Sequence, residues 1–275
     1  MLSPSYAISP NDLWNTIATA CSSQLVDVRR RNSYDRSTAL LPGALWREAS
    51  DVAQWGLELD RARPLVVACQ AGHERSQMTA AQLRADGFDA RVLAGGYQAW
   101  SDAGLPLVAK QALDRLAPAR PSLWVTRRRP KIDRVACPWL IRRFLDPQAR
   151  FLFVEPDMVV DVARESGAVP FDIKDIELSH EGERCTFDTM LRLFGLEDEP
   201  TLARLALIVR GADTARPDLI PEAAGLHAVA IGLSALAGDD DHGLLQRGFL
   251  VYDALFAWLR FAADERHNWP AKAAA

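Results

Sequence analysis

A cysteine closes a four-residue apolar run, Leu65-Val66-Val67-Ala68-Cys69. The chain continues Gln70-Ala71-Gly72-His73-Glu74-Arg75-Ser76 before a helix-like stretch begins. A thiol placed where a strand ends and a tight loop feeds a helix N-terminus sits among convergent backbone N–H groups. Those groups and the helix dipole favour the thiolate. The same cradle suits an oxyanion or the outer sulfur of a persulfide. Gly72 lets the backbone fold round the cradle without a Cβ clash, and Arg75 offers a planar fork for a tetrahedral oxyanion. Cys69 and Arg75 are therefore expected to be catalytic, with Gln70, Ala71, Gly72, His73, Glu74 and Ser76 forming the substrate cradle. His73 either tunes the thiolate or stands in solvent as a loop residue. A lone cysteine at the end of a core strand more often serves packing; the order strand, cysteine, glycine, arginine, helix sets this one apart.

A second concentration of chemistry opens the other half. Between 127 and 143 there are seven Lys or Arg residues against one acid, Asp133. Such a run suits an anion or a nucleic-acid backbone, although a generic charge run is more often a solvated face. Asp133, Arg134, Cys137 and Trp139 fall near an expected strand–helix junction, where charges could converge, and Lys131 is a further candidate in the same segment. Farther on, His180, Cys185, Asp213, His227 and the run Asp239-Asp240-Asp241-His242 supply metal-ligand types without a spacing that fixes a site. His180 and Cys185, across an expected turn, are compatible with a shared site. A structural or surface role is the better reading of these residues, with the metal left unknown. Asp239–His242 reads as the end of one helix and the cap of the next.

The elements that must position these residues differ between the halves. Short β-rich runs at 25–29, 65–68 and 90–93 alternate with helical segments, one of them 77–86 ended by Gly87. That alternation predicts a parallel sheet with covered faces. Residues 109–122 contain Pro118 and Pro121 and read as a linker between domains at 1–108 and 123–275. The second half opens with strands at 123–126 and 151–154. It then becomes largely helical, at 187–194, 201–209, 225–237 and 244–262, which makes it a mostly helical α+β domain. Trp139, Phe249 and Trp258, at helical spacing, read as core.

A length of 275 residues fits two domains, and 49% hydrophobic with 25% charged residues fits a globular chain. The net charge of −4 argues against unspecific nucleic-acid binding by the whole chain. The cysteines at 21, 69, 137 and 185 contain no CxxC pair and read as reduced thiols, Cys21 as packing. The first 28 residues carry no Lys or Arg, and the longest apolar stretch, 225–238, is too short for a bilayer. A cytoplasmic protein without a membrane partner is the expectation.

Residues 25–108 resemble a rhodanese domain. The likeness rests on Leu25-Val26-Asp27-Val28-Arg29, Leu41-Pro42-Gly43-Ala44, the strand ending at Cys69, and Leu93-Ala94-Gly95-Gly96-Tyr97-Gln98-Ala99-Trp100. It implies an α/β fold with a parallel central sheet and a sulfur-accepting Cys69 that needs no cofactor. One departure is the loop, which runs seven residues from Cys69 to Arg75 rather than six. That is the length found in tyrosine phosphatases and related arsenate reductases, although Ala68 stands where phosphatases usually place His. The stretch from Trp124 to Arg143 resembles the chromate-resistance ChrB family. So do Glu177-Leu178-Ser179-His180-Glu181-Gly182-Glu183-Arg184-Cys185-Thr186-Phe187-Asp188 and Ile208-Val209-Arg210-Gly211-Ala212-Asp213-Thr214. Members of that family occur joined to rhodanese-like domains, and the likeness implies a role in chromate resistance.

The leading expectation is a sulfurtransferase that carries a persulfide on Cys69, fused to a ChrB-like domain. Its partners would be a small sulfur donor or oxyanion substrate and a thiol acceptor, with homo-oligomerisation left open. Two alternatives stand beside it: a thiol-dependent oxyanion reductase or phosphatase using the Cys69–Arg75 loop, and a chromate-responsive DNA-binding regulator using the basic run.

Overall fold

The computed structural model describes residues 6–19 and 22–265, so Cys21 lies outside the described residues. The first half is built on β1 (Ala7–Ile8), α1 (Pro10–Thr16), β2 (Gln24–Asp27), α2 (Arg31–Arg36), β3 (Ala39–Leu40), β4 (Ala44–Trp46), α3 (Val52–Trp55), β5 (Leu65–Ala68), α4 (Glu74–Ala85), β6 (Ala90–Leu93) and α5 (Gly96–Asp102). Five of these strands form a parallel sheet in the order β1-β6-β5-β2-β4, with Val67 opposite Val26 on one side and Val92 on the other. All four residues of the central β5 are buried, as a strand covered on both faces requires. Alternation divides them: Leu65 and Val67 join Ala80 and Leu83 of α4, whereas Val66 and Ala68 join Leu13, Trp14 and Trp100. Cys69 lies with the α4 group.

The strands expected at 65–68 and 90–93 match, and the first one is β2, ending at Asp27 rather than at 29. Helix α4 starts three residues earlier than expected, so Arg75 and Ser76 lie in its first turn. The segment 109–122 is not an unstructured connection. After the short strand β7 (Val108–Ala109), which pairs antiparallel with β3, comes α6 (Lys110–Leu116). Leu113 and Ala117 are buried, while Ala112 and Leu116 pack on the same core. That helix-spaced apolar stripe precedes both prolines, so only the end of the segment is irregular.

The second half has β8 (Leu123–Arg127), α7 (Asp133–Leu140), β9 (Arg150–Val154), α8 (Val159–Ser166), β10 (Val169–Pro170), α9 (Thr186–Leu193), α10 (Pro200–Asp213), α11 (Glu222–Ala237) and α12 (Asp241–Phe261). Helix α7 passes directly into a π-helical turn, Ile141–Leu145. The three strands form a parallel sheet in the order β10-β8-β9. Both expected strands and all four expected helices are present. Strand β10 escaped prediction because it has two residues, one of them a proline tolerated at a sheet edge. Trp139 and Phe249 are buried and Trp258 packs against the same core. Asp240 caps α12 by accepting the Gly243 N–H at 2.8 Å, as the acidic run implied.

One aromatic core joins the halves. The Trp14 ring lies 6.2 Å from Trp100, 6.3 Å from Phe144 and 6.4 Å from Phe256, and Trp139 lies 5.6 Å from Phe256. Arg260 of α12 donates to the Trp14 carbonyl at 2.9 Å, and the Ala109 N–H donates to the Phe194 carbonyl at 2.9 Å. Among the described residues no helix is long and apolar enough to cross a membrane.

Candidate functional site

Cys69 leaves β5 at the carboxyl edge of the sheet and is 6% exposed. Its Sγ lies 3.1 Å from Ser76 Oγ, which also reaches the His73 carbonyl at 3.1 Å. Burial alone would raise the thiol pKa. The Ser76 hydroxyl and the backbone N–H groups of Ala71, Ser76 and His73 outweigh it, and the net shift is downward. Three backbone N–H groups and one hydroxyl therefore converge on the sulfur.

The floor of the cradle comes from the start of α5. Tyr97 N–H donates to the Cys69 carbonyl at 2.9 Å and Gln98 N–H to the Gln70 carbonyl at 3.0 Å. Gly72 and Gly96 both have positive φ, +70° and +62°. A Cβ on Gly96 would strike the Cys69 carbonyl and come within 2.6 Å of Gly72 N. The glycine pair and the cysteine loop, 26 residues apart in sequence, are thus one backbone-on-backbone contact. Below it, the buried Arg29 guanidinium is held by Asp27 at 2.8 Å and stacks 4.0 Å from the Tyr97 ring centroid.

Arg75 does not take the expected position over the cradle. Its Nε donates to the Val28 carbonyl and its Nη2 pairs with Glu48. Arg75 consequently ties α4 to the β2 end and to the segment after β4. Glu48 also accepts the Ala49 N–H at 3.0 Å, and no sequence signal marked it. Gln70, His73 and Glu74 are exposed at the mouth, Ala71 is half-buried and Gly72 and Ser76 are buried.

In the second half the carboxyl ends of β8 and β10 gather a different set. Asp133, the first residue of α7, is 1% exposed and accepts the Thr186 and Phe187 N–H groups at 2.8 and 2.9 Å, at the start of α9. His180 Nε2 lies 3.5 Å from Asp133 Oδ2, 3.5 Å from Asp172 Oδ1 and 3.3 Å from Asp213 Oδ2. Burial, opposed in part by His180, pushes the Asp133 carboxyl up to about 6, and the three carboxylates push His180 up to about 12. Asp172, which carried no sequence signal, receives Arg127 at 2.8 Å and Arg134 at 3.2 Å. Of the sequence candidates, Asp133, Arg134, His180 and Asp213 come together here. Lys131 is exposed and its side chain takes no part.

Cys137 and Cys185 lie behind this cluster, both 0% exposed. Cys137 Sγ donates to Asp133 at 3.3 Å and Cys185 Sγ to Asp188 at 3.3 Å. Burial, reinforced by the neighbouring carboxylates, raises both thiols well above the ordinary value. Cys185 therefore does not share a ligand point with His180; it caps α9. His227 is exposed and turned to the Ala212 carbonyl at 3.2 Å. The basic run is mostly internally paired: Arg127 and Arg134 with Asp172, Arg128 with Glu155 and Asp239, and Arg143 with Asp253.

The parallel sheet, the strand–cysteine–helix loop and its glycine floor define the first half as a rhodanese-like domain. Residues 9–103 match the family model described as the rhodanese-like domain, and residues 124–259 match that described as ChrB, C-terminal domain. The chain thus joins a rhodanese-like domain to a ChrB C-terminal domain. Over 134 residues it is 38% identical to Protein ChrB of Cupriavidus metallidurans, a match covering 48% of this chain and 39% of that protein. Among solved structures, a rhodanese-related protein from Thermoplasma volcanium is 23% identical, covers 38% of this chain and 98% of its own, and has a TM-score of 0.34. A rhodanese-like domain protein from Staphylococcus aureus is 26% identical, covers 36% and 95%, and has a TM-score of 0.32.

Proposed function

We propose that this protein is a sulfurtransferase that carries a persulfide on Cys69 and serves chromate resistance in the cytoplasm. The Cys69 thiolate attacks the outer sulfur of a donor such as thiosulfate. A Cys69 Sγ–S bond forms, the donor S–S bond breaks, and sulfite leaves with the electron pair. An acceptor thiolate then attacks the outer sulfur, takes it as its own persulfide and returns Cys69 as thiolate. The observation that carries this reading is the aim of the Ala71, His73 and Ser76 N–H groups and the Ser76 hydroxyl at the sulfur itself. Donors so placed stabilise the thiolate and its persulfide anion. The phosphatase and oxyanion-reductase readings lose their main support, because the Arg75 guanidinium is engaged by Glu48 and the Val28 carbonyl. The DNA-binding reading is weakened in the same way by the ion pairs of the basic run.

Intact mass after thiosulfate treatment should show a one-sulfur addition, absent in Cys69→Ser and removed by a small thiol. No adduct on the wild-type protein, alongside turnover of an aryl phosphate or thiol-dependent chromate reduction, would replace this reading with the phosphatase or reductase one.

A further inference from the structure

The three-stranded sheet of the second half is doubly wound around β8. Helix α7, in the β8–β9 connection, shares the core that contains Trp124, whereas Val159 at the start of α8, in the β9–β10 connection, packs on Val125 from the opposite face. The two connections therefore part at β8, and the crevice beyond the carboxyl ends of β8 and β10 is a topological switch point. Parallel α/β sheets bind ligands at such points. Arg127, Asp133 and Asp172 lie at this crevice, and His180 and Asp213 reach it from the loop before α9 and the end of α10.

The spacing within the crevice is not that of hydrogen bonding. One imidazole nitrogen faces three carboxylate oxygens at 3.3–3.5 Å, beyond the 2.7–3.2 Å of an ordinary N–H···O bond, and a single N–H serves one of them at best. Donor atoms of Asp133, His180 and Asp213 all lie within 4.8 Å of one another. Four ligands at about 2.1 Å from a tetrahedral metal ion stand about 3.4 Å apart, which is the separation of His180 Nε2 from Asp133 and Asp213. Asp213, with a side chain only 20% exposed, has His180 as its sole side-chain partner among the described residues. Asp172 belongs to an outer layer, since the Arg127 and Arg134 guanidinium groups already neutralise it, whereas Asp133 has no arginine partner among the described residues.

A further group at this end of the sheet lacks a partner. Thr126 is 0% exposed and its hydroxyl has no hydrogen bond. By strand alternation it follows Trp124 on the face covered by α7, at the carboxyl end that opens on the crevice. An open cleft lined by Arg127, Lys174, Ser179 and His180 leads in from solvent.

We propose that Asp133, His180 and Asp213 bind one divalent transition-metal ion, with its remaining coordination positions turned toward the cleft. The imidazole nitrogen favours Zn2+ or Co2+ over the oxygen-seeking Mg2+, Ca2+ and Mn2+. Arg127 is paired with Asp172, and Lys174 shares the cleft lining with Asp175, so water is the fitting outer ligand.

The test uses the full chain, stripped with a chelator and titrated with Co2+ and then Zn2+. Wild type should take up one Co2+ per chain, with visible d–d absorption that Zn2+ displaces. Asp133 also holds the start of α9, so its replacement risks the fold; His180→Gln and Asp213→Asn are the variants to make, with far-UV circular dichroism as the check on folding. Each should weaken Co2+ binding by more than about 100-fold, whereas Asp172→Asn should weaken it by about 10–100-fold, as loss of an outer partner does. Folded His180→Gln and Asp213→Asn that bind Co2+ as tightly as wild type would overturn the proposal, and so would a wild-type chain that takes up none.

Discussion

Cys69, Cys137 and Cys185 are all buried thiols, yet their surroundings push them in opposite directions. Three backbone N–H groups and a hydroxyl point at Cys69 and favour its thiolate, whereas burial beside Asp133 and Asp188 holds the other two as neutral thiols. The charged form is the nucleophile, so alkylation of native protein should modify Cys69 long before Cys137 or Cys185. Because the folded pKa of Cys69 is lowered, its reaction should persist as pH falls below the range where an ordinary thiol protonates. Ser76→Ala removes a hydrogen bond to the thiolate, which favours the protonated form and must move the alkylation midpoint to higher pH. Peptide mapping of iodoacetamide adducts across a pH series reads both effects. A midpoint that stays put in Ser76→Ala, or early labelling of Cys137, would contradict this account.

At the level of elements, the active loop depends on α5 as much as on β5 and α4. Gly96 and Gly104 share a left-handed backbone, at φ +62° and +66°, but a Cβ on Gly96 meets the Cys69 carbonyl and one on Gly104 meets nothing within 4 Å. Both alanine variants bear the left-handed penalty of about 1–2 kcal/mol. Gly96→Ala should lose distinctly more stability and also the thiosulfate adduct, while Gly104→Ala keeps the adduct. Denaturant unfolding and intact mass measure the two, and equal losses would show that the glycine floor is not what shapes the cradle. Much of this arrangement was legible beforehand, because the apolar runs at 65–68 and 90–93 and the helix-spaced stripes after Thr186 are strong local patterns. The placement of Arg75 is not legible for a physical reason: its partner Glu48 lies 27 residues away, and nothing in sequence says which of two sites a long cation will reach. The crevice in the second half was half-legible. Asp133, His180 and Asp213 stand out by residue type and Asp172 does not, and the four meet only where the ends of β8 and β10, the loop before α9 and the end of α10 converge.

At the scale of the whole molecule, the two family-sized halves do not behave as beads on a string. Trp14 of α1 packs edge-on to Trp100 within its own half and to Phe256 of α12 in the other, and Arg260 of α12 spans the Trp14 ring at 4.7 Å. Helix α6 and strand β7 add further contacts, through the Ala109–Phe194 hydrogen bond and the double Arg115–Glu177 ion pair at 2.7 and 2.6 Å. The exposed ion pair contributes little, so the coupling rests on the shared aromatic core. If that core is continuous, removing Trp14 must destabilise residues it never touches. Trp14→Ala should cost about 3–5 kcal/mol, the usual loss for a buried aromatic, and should lower the stability of both halves together. Hydrogen exchange under mild denaturant, followed in peptides over β5 and over β8, distinguishes the cases. A shared core predicts that both peptides open with the same denaturant dependence in wild type and shift by the same amount in Trp14→Ala. Separate opening, with the β8 peptide unmoved by the substitution, would mean that the halves fold independently and that chemistry at Cys69 is insulated from events in the second half.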